Sequence, residues 1–389
     1  MFAGGPRGCH HARVDFALDD DLEALAAEAR AVAETWSSPV PEDSWLIGHS
    51  REFSLELARR GWLGMTWPVE EGGGGRSPLE RLEVFEALIA GGAPVAYSWF
   101  ADRQIGPTLL RFGTPEQRAR FLPGIIAGTD QWCVGMSEPD AGSDVASLRT
   151  RAERDGDEYV ITGHKVWTSY SDVADWCLVL ARTDTEVPKH KGLSAFVVPM
   201  DQPGIEQRPL RMINGITREF GEVSFDGARV PAADMIGAPG GGWRLAMTVV
   251  SHEREPGELG YVARYRKVVS QLTEQVRAEP ERFGNEAVRD LGWAIVEAEM
   301  LRLHVCRRLS DSLDGISHGP EGSVDKLLMT YVEQAVGHAA LAVGGTAPDG
   351  GDDTWLKVYL YSRAQSVMGG TSQIQRNLIA GRILELPSS

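Results

Sequence analysis

The chain has 389 residues, 42% of them hydrophobic, and a formal net charge of −16. That is enough apolar material for a sizeable core divided over two or three domains, and the acidic balance argues against nucleic acid or an anionic membrane as the main partner. No apolar run approaches the ~20 residues of a membrane span, and the N-terminus "MFAGGPRGCHHARVDFALDD" lacks a signal-peptide core. Four scattered cysteines, Cys9, Cys133, Cys177 and Cys306, have no C-x-x-C spacing, so a reduced, cytoplasmic location is expected.

The first third reads as helical. Leu18, Leu22, Leu25, Ala29, Val32 and Trp36 recur at three- and four-residue steps behind an Asp-rich start. Further helices are expected around 50–60 and 78–90, separated by "WPVEEGGGGRSP", whose glycines read as a flexible turn. "TPEQRARFLPGIIAG" opens with Thr114 as N-cap and Pro115 at the first helical position. Near residue 130 the texture changes. "DGDEYVITGHKVWTS", "WCLVLART", "LSAFVVPM" and "FGEVSFDGARVP" are short β-branched and aromatic runs punctuated as in an antiparallel sheet. Helical periodicity returns beyond "GAPGGGW" (237–243), with Ile295, Ala298, Leu301, Val305, Leu309 and Leu313 as one expected core stripe. The chain therefore reads as α+β: an N-terminal helical domain (1–130), a middle antiparallel β domain (131–240) and a C-terminal helical bundle (241–389). Near its end, "VMGGTSQIQRN" places Ser372 and Gln375 at capping-box spacing behind two glycines. A helix start there suits an anion or a polar cofactor edge.

Familiar chemical signatures are absent. No G-x-G-x-x-G follows a strand, and the P-loop, G-x-S-x-G and H-E-x-x-H patterns do not occur. His10-His11 sits at a terminus and reads as a disordered pair, so no metal site is expected. The sheet region instead carries Ser137-Glu138-Pro139, "AGSD" (141–144) and the Lys-x-Trp-x-hydroxyl run "KVWTS" (165–169). In that order and spacing, with "WPVEEGGGG" before them and "GTSQIQR" after, they resemble the acyl-CoA dehydrogenase family over nearly the whole chain.

The resemblance implies FAD between the sheet domain and the C-terminal helices. By position, Met136 and Ser137 would contact the isoalloxazine, Trp167 and Ser169 would cover its other side near N5, and Gly370, Thr371 and Gln373 would line its polar side. Ser143 would border both cofactor and substrate. The substrate would be an acyl thioester, on coenzyme A or a carrier protein, that loses its α-proton to a carboxylate while the β-hydrogen leaves as hydride. Such a carboxylate needs a desolvated pocket and a stabilised enolate to work at neutral pH. Many members carry it just before "GTS", where this chain has Gly369, a replacement that leaves room beside the substrate. Others, isovaleryl-CoA dehydrogenase among them, carry it on the first long helix of the C-terminal domain, before an Arg. "MTVVSHEREPGELGY" (247–261) places Glu253 and Arg254 there, Glu253 as the base and Arg254 beside the substrate, behind Met247, Val249 and Val250 as a buried face. Pro256 would kink this helix, and Glu255 and Glu258 are the rival carboxylates.

The family resemblance also implies an electron-transfer flavoprotein as acceptor and a homo-oligomer, or a heteromer with a homologous subunit. Leu341 stands three residues before Gly344-Gly345, where family members place a cofactor-binding Gln, and "ERFGNEAVRD" is a weak match to their Arg segment. Two alternatives follow: a half-site partner subunit of a heteromer, or a flavin oxidase or monooxygenase on the same fold.

Overall fold

A computed structural model describes residues 20–37, 48–215, 219–253, 260–314, 319–345 and 353–387. Leu18, Cys9 and the His10-His11 pair lie outside these residues. The first helix, α1 (Asp20–Trp36), buries Ala29 and Val32 of the anticipated stripe together with Ala26 and Ala33, whereas Leu22, Leu25 and Trp36 are half-buried. α2 (Arg51–Arg59) starts on Ser50, whose hydroxyl accepts from Phe53 N. α3 (Pro78–Gly91) has a reciprocal capping box between Ser77 and Glu80. α4 (Ala96–Phe100) runs through a π-helical turn at Ala101–Ile105 into α5 (Gly106–Phe112). α6 (Pro115–Ile126) begins as expected: Thr114 Oγ1 accepts from Gln117 N, and Gln117 answers to Thr114 N.

The glycine run at 72–75 is not slack. A Cβ on Gly73 would stand 2.4 Å from the Trp67 carbonyl oxygen, and one on Gly74 2.8 Å from that of Met65. Two backbones touch there, and only glycine permits the approach.

Among the described residues eight strands follow: β1 (Trp132–Gly135), β2 (Arg151–Asp155), β3 (Glu158–Ser169), β4 (Trp176–Arg182), β5 (Leu193–Pro199), β6 (Ile205–Pro209), β7 (Phe220–Pro231) and β8 (Met235–Ile236). Their order is β6-β7-β3-β2-β4-β5-β8, with β1 against β4. The antiparallel reading holds for β2–β3, β3–β7, β6–β7, β4–β5 and β5–β8. It fails for β1, which pairs parallel with β4 from Trp132–Trp176 to Gly135–Val179, and for the single Arg151–Arg182 contact of β2 with β4. A parallel edge is open to β1 because the chain returns to the sheet through β2 and β3 rather than by a hairpin.

Both faces of the sheet are apolar and serve different cores. Leu178, Leu180, Ala195 and Val197 face the helices, packing with Trp67, Ile105, Phe121 and Trp132. Cys177, Val179, Phe196 and Val198 face the other way, onto Ile161, Val223 and Phe225.

The C-terminal helices are α7 (Gly242–Glu253), α8 (Tyr261–Ala278), α9 (Asn285–Leu313), α10 (Gly322–Gly344), α11 (Thr354–Ser362) and α12 (Ser372–Arg382). α8 to α11 share one core with α1 and α3, in which Ala29, Val84 and Leu88 meet Val268, Leu301, Val332 and Tyr361. α7 belongs instead to the sheet core through Leu245, Ala246 and Val249. It is thus the helix that bridges the sheet and the N-terminal helices.

Two sequence expectations need correction here. On α7, Val249 is buried as anticipated but Met247 is 39% exposed; Leu245 and Ala246 complete the inward face. On α9, Ala298, Leu301, Val305 and Leu309 are core, whereas Ile295 and Leu313 are exposed. α9 carries apolar residues on two faces, so its spacing alone admits more than one stripe.

Candidate active site

Two of the sequence motifs meet physically. Lys165, on β3 and fully buried, donates from Nζ to the Met136 carbonyl at 3.1 Å and to Glu138 Oε1 at 2.9 Å. Glu138 also accepts from Arg149 N at 2.7 Å and Thr150 N at 2.8 Å. Val166 N donates to Ser137 O at 3.0 Å. The Met136–Glu138 step is therefore pinned against the start of the Val166–Ser169 segment. Burial pulls Lys165 down to about 8 against the opposing pull of Glu138. Burial pushes Glu138 upward, but the Lys165 charge and its hydrogen-bond donors outweigh that and leave its carboxyl below the usual range. With Nζ at 2.9 Å from the carboxylate, the pair is an ion pair at neutral pH.

Immediately after Lys165 the register of β3 slips. Lys165 pairs with Val223 but Thr168 with Gly221, so two residues on β3 oppose one on β7. This bulge turns Trp167 out of the sheet at φ 60°, a backbone conformation that a bulky L residue adopts only under constraint. Its indole is 58% exposed and touches Phe220 edge-on, with ring centroids 5.9 Å apart. Ser169 follows half-buried on the same strand, and Met136 and Ser137 are half-buried alongside. An exposed indole face held by a strained bulge, with thioether and hydroxyl groups beside it, fits a planar, polar-edged ring such as an isoalloxazine.

The terminal motif forms a second element. Gly369 and Gly370 both have positive φ, 63° and 94°, and lead into α12. The cap is one residue earlier than the expected Ser372: Thr371 Oγ1 accepts from Ile374 N at 3.2 Å, and Ser372 is already helical. Gln375 bonds the turn rather than closing a box, donating from Nε2 to Gly369 O and Gly370 O at 3.1 and 3.2 Å. Its Oε1 is buried with no hydrogen-bond partner among the described residues. Gln373 points outward, exposed. Ser143 lies on an exposed turn whose neighbour Asp144 pairs with Lys189 at 2.7 Å.

α7 ends at Glu253. The Glu253 side chain, Arg254, Glu255, Pro256 and Glu258 lie outside what the structure describes. Their nearest described neighbour, His252, is half-buried and lines a cavity of about 390 Å³ with Thr66, Trp67, Arg103 and Arg111. Gly344, half of the pair that follows Leu341, has a packing role of its own, because a Cβ there would stand 2.0 Å from the indole of Trp355. Leu341 itself is half-buried.

Sequence reasoning quoted Glu138 and Lys165 within motifs but gave neither a role, and it passed over Arg103. Their pairing was not legible, because 27 residues separate them and only the fold brings Lys165 Nζ to 2.9 Å from Glu138 Oε1. No group of His, Cys, Asp and Glu among the described residues could hold a metal ion, and none of the described helices is long and apolar enough to cross a membrane.

Comparison with known proteins extends over most of the chain. Residues 19–129, 133–228 and 240–384 match the N-terminal, middle and C-terminal domains of acyl-CoA dehydrogenases. The chain is 39% identical over 381 residues to the acyl-CoA dehydrogenase IpdE1 of Mycobacterium tuberculosis, covering 94% of this chain and 98% of that protein. It is 32% identical over 250 residues to mitochondrial isovaleryl-CoA dehydrogenase of Pongo abelii, covering 61% of this chain and 59% of that protein. Among solved structures, the Tcur3481-Tcur3483 steroid ACAD superposes with a TM-score of 0.85 at 30% identity, covering 96% of this chain and all of that one. The ChsE4-ChsE5 complex from Mycobacterium tuberculosis gives 0.82 at 28%, with 96% and 100% coverage. The chain therefore belongs to the acyl-CoA dehydrogenase family of flavoprotein oxidoreductases.

Proposed function

We propose that this chain dehydrogenates an acyl thioester between its α and β carbons, with FAD as cofactor and Glu253 as the base. The observation that carries the reading is the strained, outward-facing Trp167 beside Met136, Ser137 and Ser169. Bound there, FAD would supply the hydride acceptor. Met136 and Ser137 would hold one side of the ring and Trp167 and Ser169 the other, with the indole excluding water. Gly370, Thr371 and Gln373 would meet the cofactor's polar side.

Glu253, the last helical residue of α7, would take the α-proton. Arg254 would orient that carboxylate or the thioester, and Gly369 would leave the space into which the substrate reaches. The helix that carries the base is anchored by Leu245, Ala246 and Val249 in the sheet core that also holds β1, so base and ring site ride on one packed unit. An electron-transfer flavoprotein would take the electrons onward.

The test is anaerobic. The purified protein should be yellow, and an acyl thioester should bleach the flavin. Glu253→Gln should keep the colour and lose the bleaching by a factor of about 10² or more. Unchanged bleaching in that variant would sink the assignment of the base.

A heteromer is the favoured assembly. The Tcur3481-Tcur3483 and ChsE4-ChsE5 neighbours are each named for two chains. In this chain Leu341, an apolar residue, stands where the family resemblance expects a cofactor-binding Gln. A homologous second subunit would supply that contact and would cover the outer face of α9, where Trp293, Val296, Met300 and Leu303 recur at three- and four-residue steps and are all exposed.

A further inference from the structure

We propose that Glu219 and Tyr361 are a pair of positioning residues: their hydrogen bond fixes the Trp167–Ser169 run of the sheet domain relative to the Gly369–Thr371 turn of the C-terminal helices, and so holds the two halves of the flavin site in place against each other. The proposal rests on the FAD reading given above.

The two halves come from distant parts of the chain. The Lys165–Glu138 pair joins two segments of the sheet domain, whereas the Tyr361–Glu219 bond joins the sheet to the helices. Tyr361, on α11, donates from its hydroxyl to Glu219 Oε1 at 2.6 Å, across 142 residues of chain. Both residues are buried, Tyr361 at 1% and Glu219 at 4% exposure.

On the sheet side, Glu219 immediately precedes β7, and its backbone carbonyl accepts from Tyr170 N at 3.1 Å. Tyr170 follows Ser169 and, like Trp167, has a positive φ, 56°. The residue after Glu219 is Phe220, which pairs with Ser169 and meets the Trp167 indole edge-on. Glu219 therefore holds the end of the strained run through its backbone and the C-terminal helices through its side chain.

On the helix side, Tyr361 is itself held. Arg264 of α8 lies over its ring, 4.9 Å from the centroid, and pairs with Glu333 of α10 at 2.8 Å. Glu333 also accepts from the Tyr265 hydroxyl and, at 2.9 Å, from Gln365 Nε2. Gln365 belongs to the turn Ala364–Ser366 that follows α11 and leads to Gly369, and Lys326 Nζ donates to both its backbone and its side-chain oxygen. α11 sits tightly on α10, since a Cβ on Gly337 would stand 2.5 Å from Ser362 Oγ. One frame thus carries both the Tyr361 hydroxyl and the approach to the Gly369–Thr371 turn.

Burial pushes the Tyr361 phenol up and the Glu219 charge adds to the push, so the hydroxyl stays a donor. An apolar contact at this boundary would cost less desolvation, but it would tolerate sliding. A buried phenol–carboxylate bond does not, because it weakens steeply once its distance or angle departs from the optimum. A planar ring gripped from two domains responds to their relative placement, so breaking this bond should loosen the cofactor.

For the test, flavin-free protein is titrated with FAD and binding is read from the quenching of flavin fluorescence. The visible circular dichroism of the bound flavin reports its surroundings. Tyr361→Phe, which removes only the hydroxyl, and Glu219→Ala should each raise the Kd for FAD about tenfold and alter the visible band. The double variant should lose no more than the larger single change, because each removes the same bond. Tyr97→Phe is the control: it deletes a hydroxyl that donates to Thr129 O at 3.0 Å among the N-terminal helices, and it should leave both readings as they are.

Unchanged affinity and visible band in Tyr361→Phe, additive losses in the double variant, or an equal loss in Tyr97→Phe would overturn the proposal and leave the FAD reading intact. If Glu219→Ala does not fold, Glu219→Gln decides, since it keeps an oxygen to accept the phenol. Its affinity should exceed that of Tyr361→Phe, and equal losses would overturn the pairing. If the unaltered protein takes up no FAD, the cofactor reading fails, and amide hydrogen exchange then decides the tie. Tyr361→Phe should speed exchange over residues 166–171 and 364–371 together; a change confined to one of these segments would overturn it.

Discussion

Trp167 concentrates the conflict between stability and function in one residue. Its positive φ costs on the order of 1–3 kcal/mol, and its exposed indole recovers little of that from Phe220 alone. Trp167→Gly relieves the strain but adds backbone entropy to the unfolded chain. The flavin-free Trp167→Gly variant should therefore keep its unfolding free energy, read by urea titration, to within about 1 kcal/mol of the unaltered protein. Flavin retention on dilution should fall at the same time, because the ring has lost its cover. A large loss of flavin-free stability would mean that the indole is a structural residue.

Glu86, on α3, presents the opposite case. Burial pushes its carboxyl up to about 7, and Glu83 and Glu299 push the same way against Arg266 and Arg302. A carboxyl raised in the folded state favours folding fully below its unfolded value near 4.5, and that advantage drains away as pH rises to about 7. Glu86→Gln should then be nearly neutral at about pH 4.5 and should stabilise by about 1–3 kcal/mol above pH 8. Urea unfolding at the two pH values checks it; a gain that is equal at both would exclude a titrating Glu86.

Between elements, the Lys165–Glu138 pair is the tie on which the site geometry rests. It joins β3 to the segment after β1, and the bulge that turns Trp167 outward begins one residue further on. Lys165→Met would leave the Glu138 carboxylate buried and unpaired, at a cost of about 3–5 kcal/mol. The double variant with Glu138→Gln should lose less than the sum of the two single changes, because the stranded charge is gone. Additive losses in urea unfolding would show that the two groups act separately.

This tie also shows what the sequence could and could not convey. The order of helices, sheet and helices was legible because each run has a clean period, and the pinned motifs stood out by composition. The bulge was not legible: a one-residue slip leaves the alternation of "KVWTS" intact until the partner strand is known. The cap at α12 misled for a similar reason, since Thr371 and Ser372 are equally good capping residues and the turn through Gly369 and Gly370 decided between them. Arg103 was hidden by its context, since "ADRQI" reads as a solvated helical run. The π-turn and the packing on Trp99 and Phe100 place it inside.

For the molecule as a whole, α9 is the element with two loyalties. One face, through Leu291, Ala294, Ala298, Leu301 and Val305, closes the core shared by N- and C-terminal helices. The other exposes Trp293 and Met300, each at 61%, with Val296 and Leu303 between them. Side chains this large give a solvated helix no stability, and they recur with the period of a packing surface rather than singly. Covering them with a homologous subunit would remove several hundred Å² of apolar area from water, the scale of the contiguous patches that mark interaction sites. Trp293→Glu with Met300→Glu places charges at the centre of that surface while leaving the inward face of α9 untouched. The expected outcome, read by light scattering after coexpression with the homologous subunit, is a shift from the assembled species to the single chain. The circular dichroism of the variant chain should be unaltered. If the assembled mass survives both charges, the partner docks elsewhere. If the unaltered chain purified alone assembles with itself to the same extent, the occupant of the α9 face is a second copy of this chain.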